Sequence, residues 1–169
     1  MENKKSAVAI IVVAIAILAA IVIFAKPGEN TSQNNEETGQ DQVTSEGDAG
    51  KIGKNEIEIT AANFEEKVAK AAAGQLVVVD VYAPWCPHCQ KMGPVFSAVA
   101  DQYAGRVVFG KMNANNQDDA TKETFEYAIN LGLQGYPTFW FYKDGKKVAE
   151  QSGELSESEF KEQIENYIK

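Results

Sequence analysis

The distribution of apolar residues divides this 169-residue chain into three zones. An unbroken apolar run covers residues 7–25, and a polar stretch with almost nothing to bury follows over residues 26–50. From residue 51 to residue 169, apolar residues recur at the spacings that are typical of strands and helices. The pattern therefore predicts an N-terminal apolar helix (1–25), a linker (26–50) and a single folded domain (51–169).

The folded zone alternates between strand patterns and helix patterns. Near-continuous or alternating apolar runs predict strands at residues 56–59, 76–82, 107–113, 138–142 and 147–152. Amphipathic spacing predicts helices over residues 60–73, 86–103 and 121–131, and a final helix that opens with the capping box Ser156-x-x-Glu159. Thr60 is expected to cap the first of these helices. The order βαβαβαββα predicts an α/β fold in which helices flank a mixed central β-sheet.

The apolar run of residues 7–25 has the length of a membrane span. As a helix it would be roughly 28 Å long, close to the ~30 Å hydrocarbon core of a bilayer. It is longer than the apolar core of most secretory signals, and it ends in a poor cleavage pattern, Ile23-Phe24-Ala25. These features favour an uncleaved signal anchor, or transmembrane helix, over a cleaved signal peptide. Uniform hydrophobicity at the chain terminus argues against a buried core helix.

The charges on either side of this run predict its orientation. Lys4 and Lys5 precede it, whereas Lys26 is followed only by acidic charges as far as Asp48. The positive-inside rule therefore predicts a single-pass protein of the cell membrane, with the folded domain on the extracytoplasmic side, where disulfides persist. Because residues 26–50 are polar and acidic, we expect them to form a disordered tether between the anchor and the domain.

Composition and charge argue against several functions. The net charge of −8 and the scattered basic residues argue against a nucleic-acid partner. Two cysteines cannot form the disulfide framework of a small secreted domain. Cys86, His88 and Cys89 supply three of the four ligands that a closed zinc site needs, so a zinc module would require a second copy of the chain. We therefore expect no metal and no cofactor.

Both cysteines lie in one short segment, Trp85-Cys86-Pro87-His88-Cys89, which follows a predicted strand and opens a predicted helix. Only a thiolate attacks a disulfide, and a helix N-terminus stabilises a thiolate through its unpaired N–H groups and its dipole. Pro87 suits the first helical position, and Cys89 lies about one turn beyond Cys86. The spacing therefore predicts an exposed attacking thiol at Cys86 and a shielded resolving thiol at Cys89.

Two polar residues near the pair are candidates for tuning its chemistry. His88 would stabilise the Cys86 thiolate, as a cation or as a hydrogen-bond donor, and would thereby make the disulfide more oxidising. The alternative is that His88 is a polar residue that faces solvent at the start of the helix. Asp80 stands within a valine-rich strand, where a carboxylate is costly unless it has a partner or a task.

Four motifs of the folded zone resemble thioredoxin-fold proteins, namely thioredoxin and the catalytic domains of protein disulfide isomerase. Residues 79–86 resemble the strand that leads into their active site, and residues 132–138 resemble their cis-proline loop. Residues 141–145 and 153–156 resemble their hairpin and the start of their last helix. The resemblance implies a thioredoxin fold and a protein disulfide oxidoreductase that acts on protein thiols and disulfides.

The resemblance also implies roles for individual residues. Asp80 would move a proton for the resolving cysteine, with Lys111 close to it on the next strand; a purely structural ion pair is the alternative. Pro137 would be cis and would face the cysteines, so that Tyr136 offers backbone groups to an extended substrate. The residues expected at the apolar rim of the substrate site are Trp85, Pro87, Tyr136 and Gly153.

Two features depart from thioredoxin. The dipeptide Pro87-His88 resembles that of the periplasmic disulfide oxidases, although this chain has no room for the helical insertion that those proteins usually carry. Residues 115–125 form a longer segment than the matching part of thioredoxin. We therefore expect a monomeric, membrane-anchored oxidase or isomerase that exchanges disulfides with extracytoplasmic proteins and with a membrane or extracytoplasmic redox partner. A membrane-tethered thiol reductase and a non-catalytic binding module are the alternatives.

Overall fold

The structure is a computed structural model that describes residues 49–168. The predicted anchor (7–25) and nearly all of the predicted linker (26–50) lie outside the described residues. Within residues 49–168, no helix is long and apolar enough to cross a membrane. Ala49, near the end of the predicted linker, is buried in a small cluster that also contains Tyr82, Ala83 and both cysteines.

In the part of the chain that the structure describes, five strands form one mixed sheet, and their bounds match the predicted ones to within one residue. They are β1 (Glu56–Ile59), β2 (Leu76–Tyr82), β3 (Val107–Asn113), β4 (Thr138–Lys143) and β5 (Lys146–Ser152). The strand order is β1-β3-β2-β4-β5, in which β1, β3 and β2 are parallel and β4 and β5 are antiparallel. Every residue of the central strand β2 is buried, as expected for an apolar run that is covered on both faces of a sheet.

Within residues 49–168, three α-helices accompany the sheet: α1 (Pro87–Gln102), α2 (Lys122–Asn130) and α3 (Glu157–Tyr167). A 3₁₀ turn, Asp119–Thr121, precedes α2. The predicted capping box opens α3, because the Ser156 hydroxyl accepts from the Glu159 N–H and the Glu159 carboxylate accepts from the Ser156 N–H. Three of the four predicted helices are therefore confirmed, with ends that differ by a residue or two.

The helix predicted over residues 60–73 is wrong in length. The structure has a five-residue π-helix, Glu65–Ala69, whose last turn widens because the Lys70 N–H bonds to the Glu65 carbonyl five residues back. Thr60 is not a side-chain cap; its N–H donates to the Asn63 side chain at 2.8 Å. Gly74 has a positive φ of 76°, so the chain has already turned towards β2 before a longer helix can form.

The core lies on both faces of the sheet. On one face α1 and α3 pack through aromatic rings; Phe96, Phe139 and Phe160 lie within 5.0–6.1 Å of one another, centroid to centroid. On the other face, side chains of β2 and β4 pack against the short π-helix and α2. Residues 83–86 join the C-terminal end of β2 to α1, so both the sheet and the helix packing fix the position of the cysteine pair.

Candidate active site

Cys86 is the N-cap residue of α1. Its backbone is extended (φ −81°, ψ 117°), and Pro87 takes up the first helical position, as the sequence predicts. The Cys86 carbonyl accepts the first helical hydrogen bond, from the Gln90 N–H at 3.1 Å. The sulfur of Cys86 therefore stands at the positive end of the α1 dipole, where a thiolate is favoured.

Both thiols are buried, and Cys89 is the deeper one. The prediction that Cys86 is exposed is wrong, since 5% of this residue is accessible against 1% of Cys89. The reason is the half-buried Tyr136, which packs against the cysteine cluster and whose carbonyl lies 3.8 Å from the Cys86 sulfur. The predicted order of exposure, with Cys89 shielded, is confirmed.

The Cys89 thiol strongly favours its protonated form. Burial raises the pKa of Cys89 well above its ordinary value, and a hydrogen bond with Cys86 raises it further. Asp80 adds to this rise, whereas a backbone hydrogen bond at Ala83 acts in the opposite direction. Cys89 therefore needs a proton acceptor before it can act as a nucleophile.

Asp80 and Lys111 meet beneath the cysteines, as the resemblance implies. They occupy paired positions on β2 and β3, and Asp80 Oδ2 lies 3.8 Å from Lys111 Nζ. Each residue is 1% exposed. Burial raises the pKa of Asp80 from 3.8 to about 7, against an opposing effect of the Lys111 charge. The carboxyl group of Asp80 can therefore gain and lose a proton near neutral pH.

Glu56 is a second buried carboxylate near Asp80, and its charge also raises the pKa of Asp80. It is held by two short hydrogen bonds, one from the Ser97 hydroxyl and one from the Gly53 N–H, both at 2.6 Å. Sequence reasoning placed Glu56 at the start of a strand and missed this contribution. No local signal marks it, because Ser97 lies 41 residues further along the chain.

His88 bonds to a residue that sequence reasoning also missed. Its Nδ1 lies 2.6 Å from Glu154 Oε1, and the same oxygen accepts from Lys91 Nζ at 3.1 Å. These hydrogen bonds, with that from His88 the larger, lower the pKa of the Glu154 carboxyl group. His88 and Lys91 are exposed, so the cluster lies at the surface beside the cysteine pair.

The loop before β4 closes the other side of the site. The Tyr136–Pro137 peptide bond is cis, as the resemblance implies. The Pro137 carbonyl accepts from the Gly153 N–H at 2.9 Å, and the Tyr136 hydroxyl donates to the Ala114 carbonyl. The loop is therefore fixed at both ends next to Cys86.

The predicted apolar rim is only partly exposed. Trp85 is 44% exposed and meets Tyr136 edge to face, with ring centroids 5.7 Å apart. Pro87 is exposed, Gly153 is half-buried and Pro137 is buried. The structure therefore brings all the sequence-predicted site residues to one end of the sheet, around the start of α1.

A model of the family described as Thioredoxin matches residues 55–166, more than half of the chain. This chain belongs to the thioredoxin family. It is 36% identical over 104 residues to the thioredoxin of Pseudomonas aeruginosa, across 61% of this chain and 87% of that protein. It also resembles the short form of thioredoxin f from spinach chloroplast, with a TM-score of 0.59 and 28% identity over 68% of this chain and 96% of that one.

Family membership identifies the reaction at the cysteine pair. Thioredoxins act on protein thiol and disulfide substrates, and this chain is a thioredoxin-like disulfide oxidoreductase whose active site is the Cys86–Cys89 pair. In this exchange two thiols of one protein become a disulfide while a disulfide of the other becomes two thiols. Two electrons therefore pass directly between sulfur pairs.

Residues 115–125, the segment predicted to be longer than in thioredoxin, contact the active site of this thioredoxin domain. Trp85 Nε1 donates to Asn115 Oδ1 at 2.8 Å, and the Thr121 hydroxyl donates to the Asn115 carbonyl at 2.7 Å. Asn115 is a further site residue that the sequence did not reveal. The segment also lines a cavity of about 120 Å³ beside the cis-proline loop, together with α2; its lining residues include Asn116, Phe125, Ile129, Leu133 and Tyr136.

The described residues hold no cluster of metal-binding character. Within residues 49–168, no group of three or more His, Cys, Asp or Glu side chains is placed to hold a metal ion. Cys86, His88 and Cys89 do not face one site together, because both cysteines are buried whereas His88 is exposed and bonds to Glu154. The geometry at the start of α1 is therefore that of a thiol pair.

Proposed function

We propose that this chain is a membrane-anchored thioredoxin that forms disulfides in extracytoplasmic proteins by oxidising their thiols, or isomerises disulfides that these proteins already contain. One observation carries the proposal: a Pro87-His88 dipeptide separates the two cysteines at the N-terminus of α1. Stabilisation of the Cys86 thiolate by the helix and by an imidazole favours the reduced pair, and a pair that is stable when reduced is a strong oxidant. The charges and apolar residues before position 51 support the location outside the cytoplasm.

Substrate oxidation begins on the disulfide form of the pair. A substrate thiolate attacks the Cys86 sulfur, the Cys86–Cys89 bond breaks, and Cys89 leaves as a thiolate that takes up a proton. A second substrate thiolate then attacks the substrate sulfur of the mixed disulfide and releases the Cys86 thiolate. The substrate gains a disulfide, and the pair gains two electrons, which a dithiol–disulfide partner outside the cytoplasm must remove.

Release of a substrate that is held in a mixed disulfide uses Cys89 as the nucleophile. Cys89 attacks the Cys86 sulfur of the mixed disulfide, and the substrate leaves as a thiolate. Because burial keeps Cys89 protonated, the step needs a base, and Asp80 is the buried carboxylate with a pKa near neutral pH. The charge of Lys111, 3.8 Å from Asp80, favours the ionised carboxylate and limits the rise of its pKa that burial causes.

Substrate docking uses the cis-proline loop. The Tyr136 carbonyl lies 3.8 Å from the Cys86 sulfur, so a substrate strand that bonds to the loop brings its own sulfur to Cys86. Trp85 and Pro87 supply exposed apolar surface beside this position. These contacts are mostly to the backbone, which suits a broad range of protein substrates.

A membrane-tethered thiol reductase is the second candidate. One observation favours it: the His88 imidazole forms its hydrogen bond with Glu154, and the neighbour of the Cys86 sulfur is the Tyr136 carbonyl. Less help from His88 would leave the pair closer to the potential of thioredoxin, which acts as a reductant. A membrane electron donor would then keep the two cysteines reduced.

Two assays on the full-length chain separate these functions. The proposal predicts that the chain accelerates the refolding of a reduced or a scrambled disulfide protein in a glutathione buffer more than it accelerates the reduction of insulin. Cys86→Ser is the control and should abolish both activities. A chain that only reduces insulin is a reductase, and a chain without turnover in either assay, unaffected by Cys86→Ser, is a binding module.

The proposed location has its own test. In intact spheroplasts that express the full-length chain, an added protease should remove residues 51–169 while a cytoplasmic marker protein survives. Reversal of the charges, with Lys4 and Lys5 replaced by glutamate and lysines added after Lys26, should protect the domain. A domain that is resistant in the unaltered chain, and cleaved only after lysis, would overturn the extracytoplasmic location.

A further inference from the structure

The Glu154 carboxylate is bonded to His88, the histidine between the two cysteines. Its Oε1 accepts from His88 Nδ1 at 2.6 Å and from Lys91 Nζ at 3.1 Å. His88 and Lys91 belong to the first turn and a half of α1, whereas Glu154 lies 66 residues beyond His88, between β5 and α3. The contact therefore joins two distant parts of the fold across the mouth of the active site.

The backbone on both sides of Glu154 is fixed. The Gly153 N–H donates to the Pro137 carbonyl at 2.9 Å, and the Leu155 N–H lies 3.3 Å from the sulfur of the buried Met92 on α1. Ser156 then caps α3. Since the loop is attached to the cis-proline loop before Glu154 and to α1 after it, the carboxylate is held over the start of α1.

We propose that Glu154 is a positioning residue that holds His88 away from Cys86 and thereby limits how oxidising the cysteine pair is. The inference rests on the proposed function, in which His88 stabilises the Cys86 thiolate. The Nδ1 of His88 is engaged with Glu154, while the Cys86 sulfur has the Tyr136 carbonyl as its neighbour at 3.8 Å. An imidazole that bonds to Glu154 through Nδ1 does not give that hydrogen bond to the thiolate.

Charge acts in the same direction as this competition. The Glu154 carboxylate is a negative charge bonded to the side chain two residues beyond Cys86, and a negative charge disfavours a nearby thiolate. The carboxylate also favours a cationic imidazole, which would stabilise the thiolate. This opposing effect is weakened because Lys91 binds the same oxygen of Glu154 and partly neutralises its charge. The net effect of Glu154 is therefore to destabilise the reduced, thiolate form of the pair and to make its disulfide a weaker oxidant.

The test is the equilibrium of the pair with glutathione, measured on the full-length chain. In that reaction two thiols of the protein and one glutathione disulfide become one protein disulfide and two glutathione molecules, so two electrons move. Glu154→Gln should shift the equilibrium towards the reduced protein by about two- to fivefold, the range for an exposed ion pair. Such a shift corresponds to a reduction potential that is roughly 10–20 mV more positive.

Two further variants test whether the shift depends on the contact between Glu154 and His88. Glu150→Gln removes the same charge from an exposed carboxylate of β5 that pairs with Lys147 at 2.6 Å, and it should leave the equilibrium unchanged. In a His88→Ala background, Glu154→Gln should shift the equilibrium clearly less than in the wild type, because only the direct effect of the charge remains once His88 is gone. The thiolate fraction of Cys86 at neutral pH, read from its rate of alkylation, should rise in Glu154→Gln and stay constant in Glu150→Gln.

The outcomes distinguish this inference from the proposed function. If His88→Ala shifts the potential but Glu154→Gln does not, or shifts it towards weaker oxidation, then Glu154 has no limiting role and only this inference fails. An equal shift in the wild-type and His88→Ala backgrounds also overturns it, because the effect is then one of charge alone. If His88→Ala leaves the potential unchanged, the role of His88 in the proposed function fails as well.

Discussion

The Asp80 carboxylate and the Lys111 ammonium lie 3.8 Å apart at paired positions of β2 and β3, and both side chains are almost completely buried. Two observations show that this pair is poorly satisfied. Asp80 Oδ1 and Lys111 Nζ have no hydrogen-bond partner among the described residues, and the pKa of Asp80 is raised to about 7 despite the neighbouring cation. A buried ion pair of this kind contributes little to stability, so we attribute to it a role in proton transfer.

Asp80→Asn should slow the release of mixed disulfides while it spares the first attack. The buried Cys89 thiol loses its base, and general-base catalysis of a proton transfer is worth roughly 10²-fold in rate or more. Stopped-flow fluorescence can follow the formation and the decay of the mixed disulfide separately. Equal decay rates in Asp80→Asn and the wild type would leave the ion pair with a structural role alone.

The raised pKa of Asp80 makes folding stability depend on pH. The folded pKa of about 7 lies above the ordinary value of 3.8, so the stabilising effect is complete below about pH 4 and is lost as the pH rises through 7. Because one pKa unit corresponds to about 1.4 kcal/mol, this group should lower the free energy of unfolding by up to about 4 kcal/mol over that range.

Asp80→Asn should remove this decline, since asparagine does not ionise. Urea denaturation of both proteins between pH 4 and pH 8 measures the effect as the difference between their free energies of unfolding. Because Lys111 loses its partner in Asp80→Asn, the two free energies of unfolding differ by a fixed amount at every pH. Ionisation of Asp80 in the wild type adds a part of the difference that changes with pH. A difference that stays flat across the range would contradict the raised pKa.

The two cysteines should differ in the complexes that they trap. In Cys89→Ser, Cys86 still reacts, and no second thiol releases the substrate, so mixed disulfides should accumulate in cells and in vitro. In Cys86→Ser, the remaining thiol is 1% exposed and protonated, so few complexes should form. Non-reducing electrophoresis after acid quenching shows either outcome. More complexes with Cys86→Ser than with Cys89→Ser would reverse the assigned roles.

His88→Ala should lower the thiolate fraction of Cys86 at neutral pH and make the pair less oxidising. The imidazole lies in the first turn of α1, where a cation or a donor favours a nearby thiolate. The ultraviolet absorbance of the thiolate, titrated in both proteins on a Cys89→Ser background, measures the change. An unchanged titration would leave His88 as a polar residue that faces solvent and Glu154.

Gly110 allows β1 and β3 to pack closely. A Cβ at this position of β3 would lie 2.5 Å from Cγ1 of Ile59, which is completely buried on β1. Gly110→Ala should therefore cost about 1–3 kcal/mol in the free energy of unfolding. Gly135→Ala is the matched control, because nothing lies within 4 Å of its added Cβ, and its effect should stay within about 0.5 kcal/mol.

The strands were predictable because their patterns are local. β2 is a continuous apolar run and is buried on both faces, and the turn at Lys143–Lys146 carries Asp144 and Gly145, both of which adopt positive φ. The short length of the helix predicted over residues 60–73 was not predictable, because the apolar residues of this segment have ordinary helical spacing. Its length is set by a widened turn at Lys70 and by the positive φ of Gly74.

The cysteine pair and Asp80 were evident from the sequence because each is chemically unusual where it stands. The partner of His88 was not, since Glu154 is one of 24 acidic residues and lies 66 positions away. The burial of Cys86 was also missed, because it depends on how Tyr136 packs against the start of α1. Contacts of this kind follow from the tertiary fold and leave no mark in local spacing.

The reduction potential of the Cys86–Cys89 pair in the full-length chain tests the proposed function most directly. It is measured by equilibration with glutathione buffers, followed by alkylation of the free thiols and mass analysis. We predict a potential clearly more positive than the ~−270 mV of thioredoxin and, because Glu154 restrains His88, less positive than the ~−120 mV of a strong periplasmic oxidase. A value at or below that of thioredoxin would contradict an oxidase or isomerase and would identify the chain as a reductase.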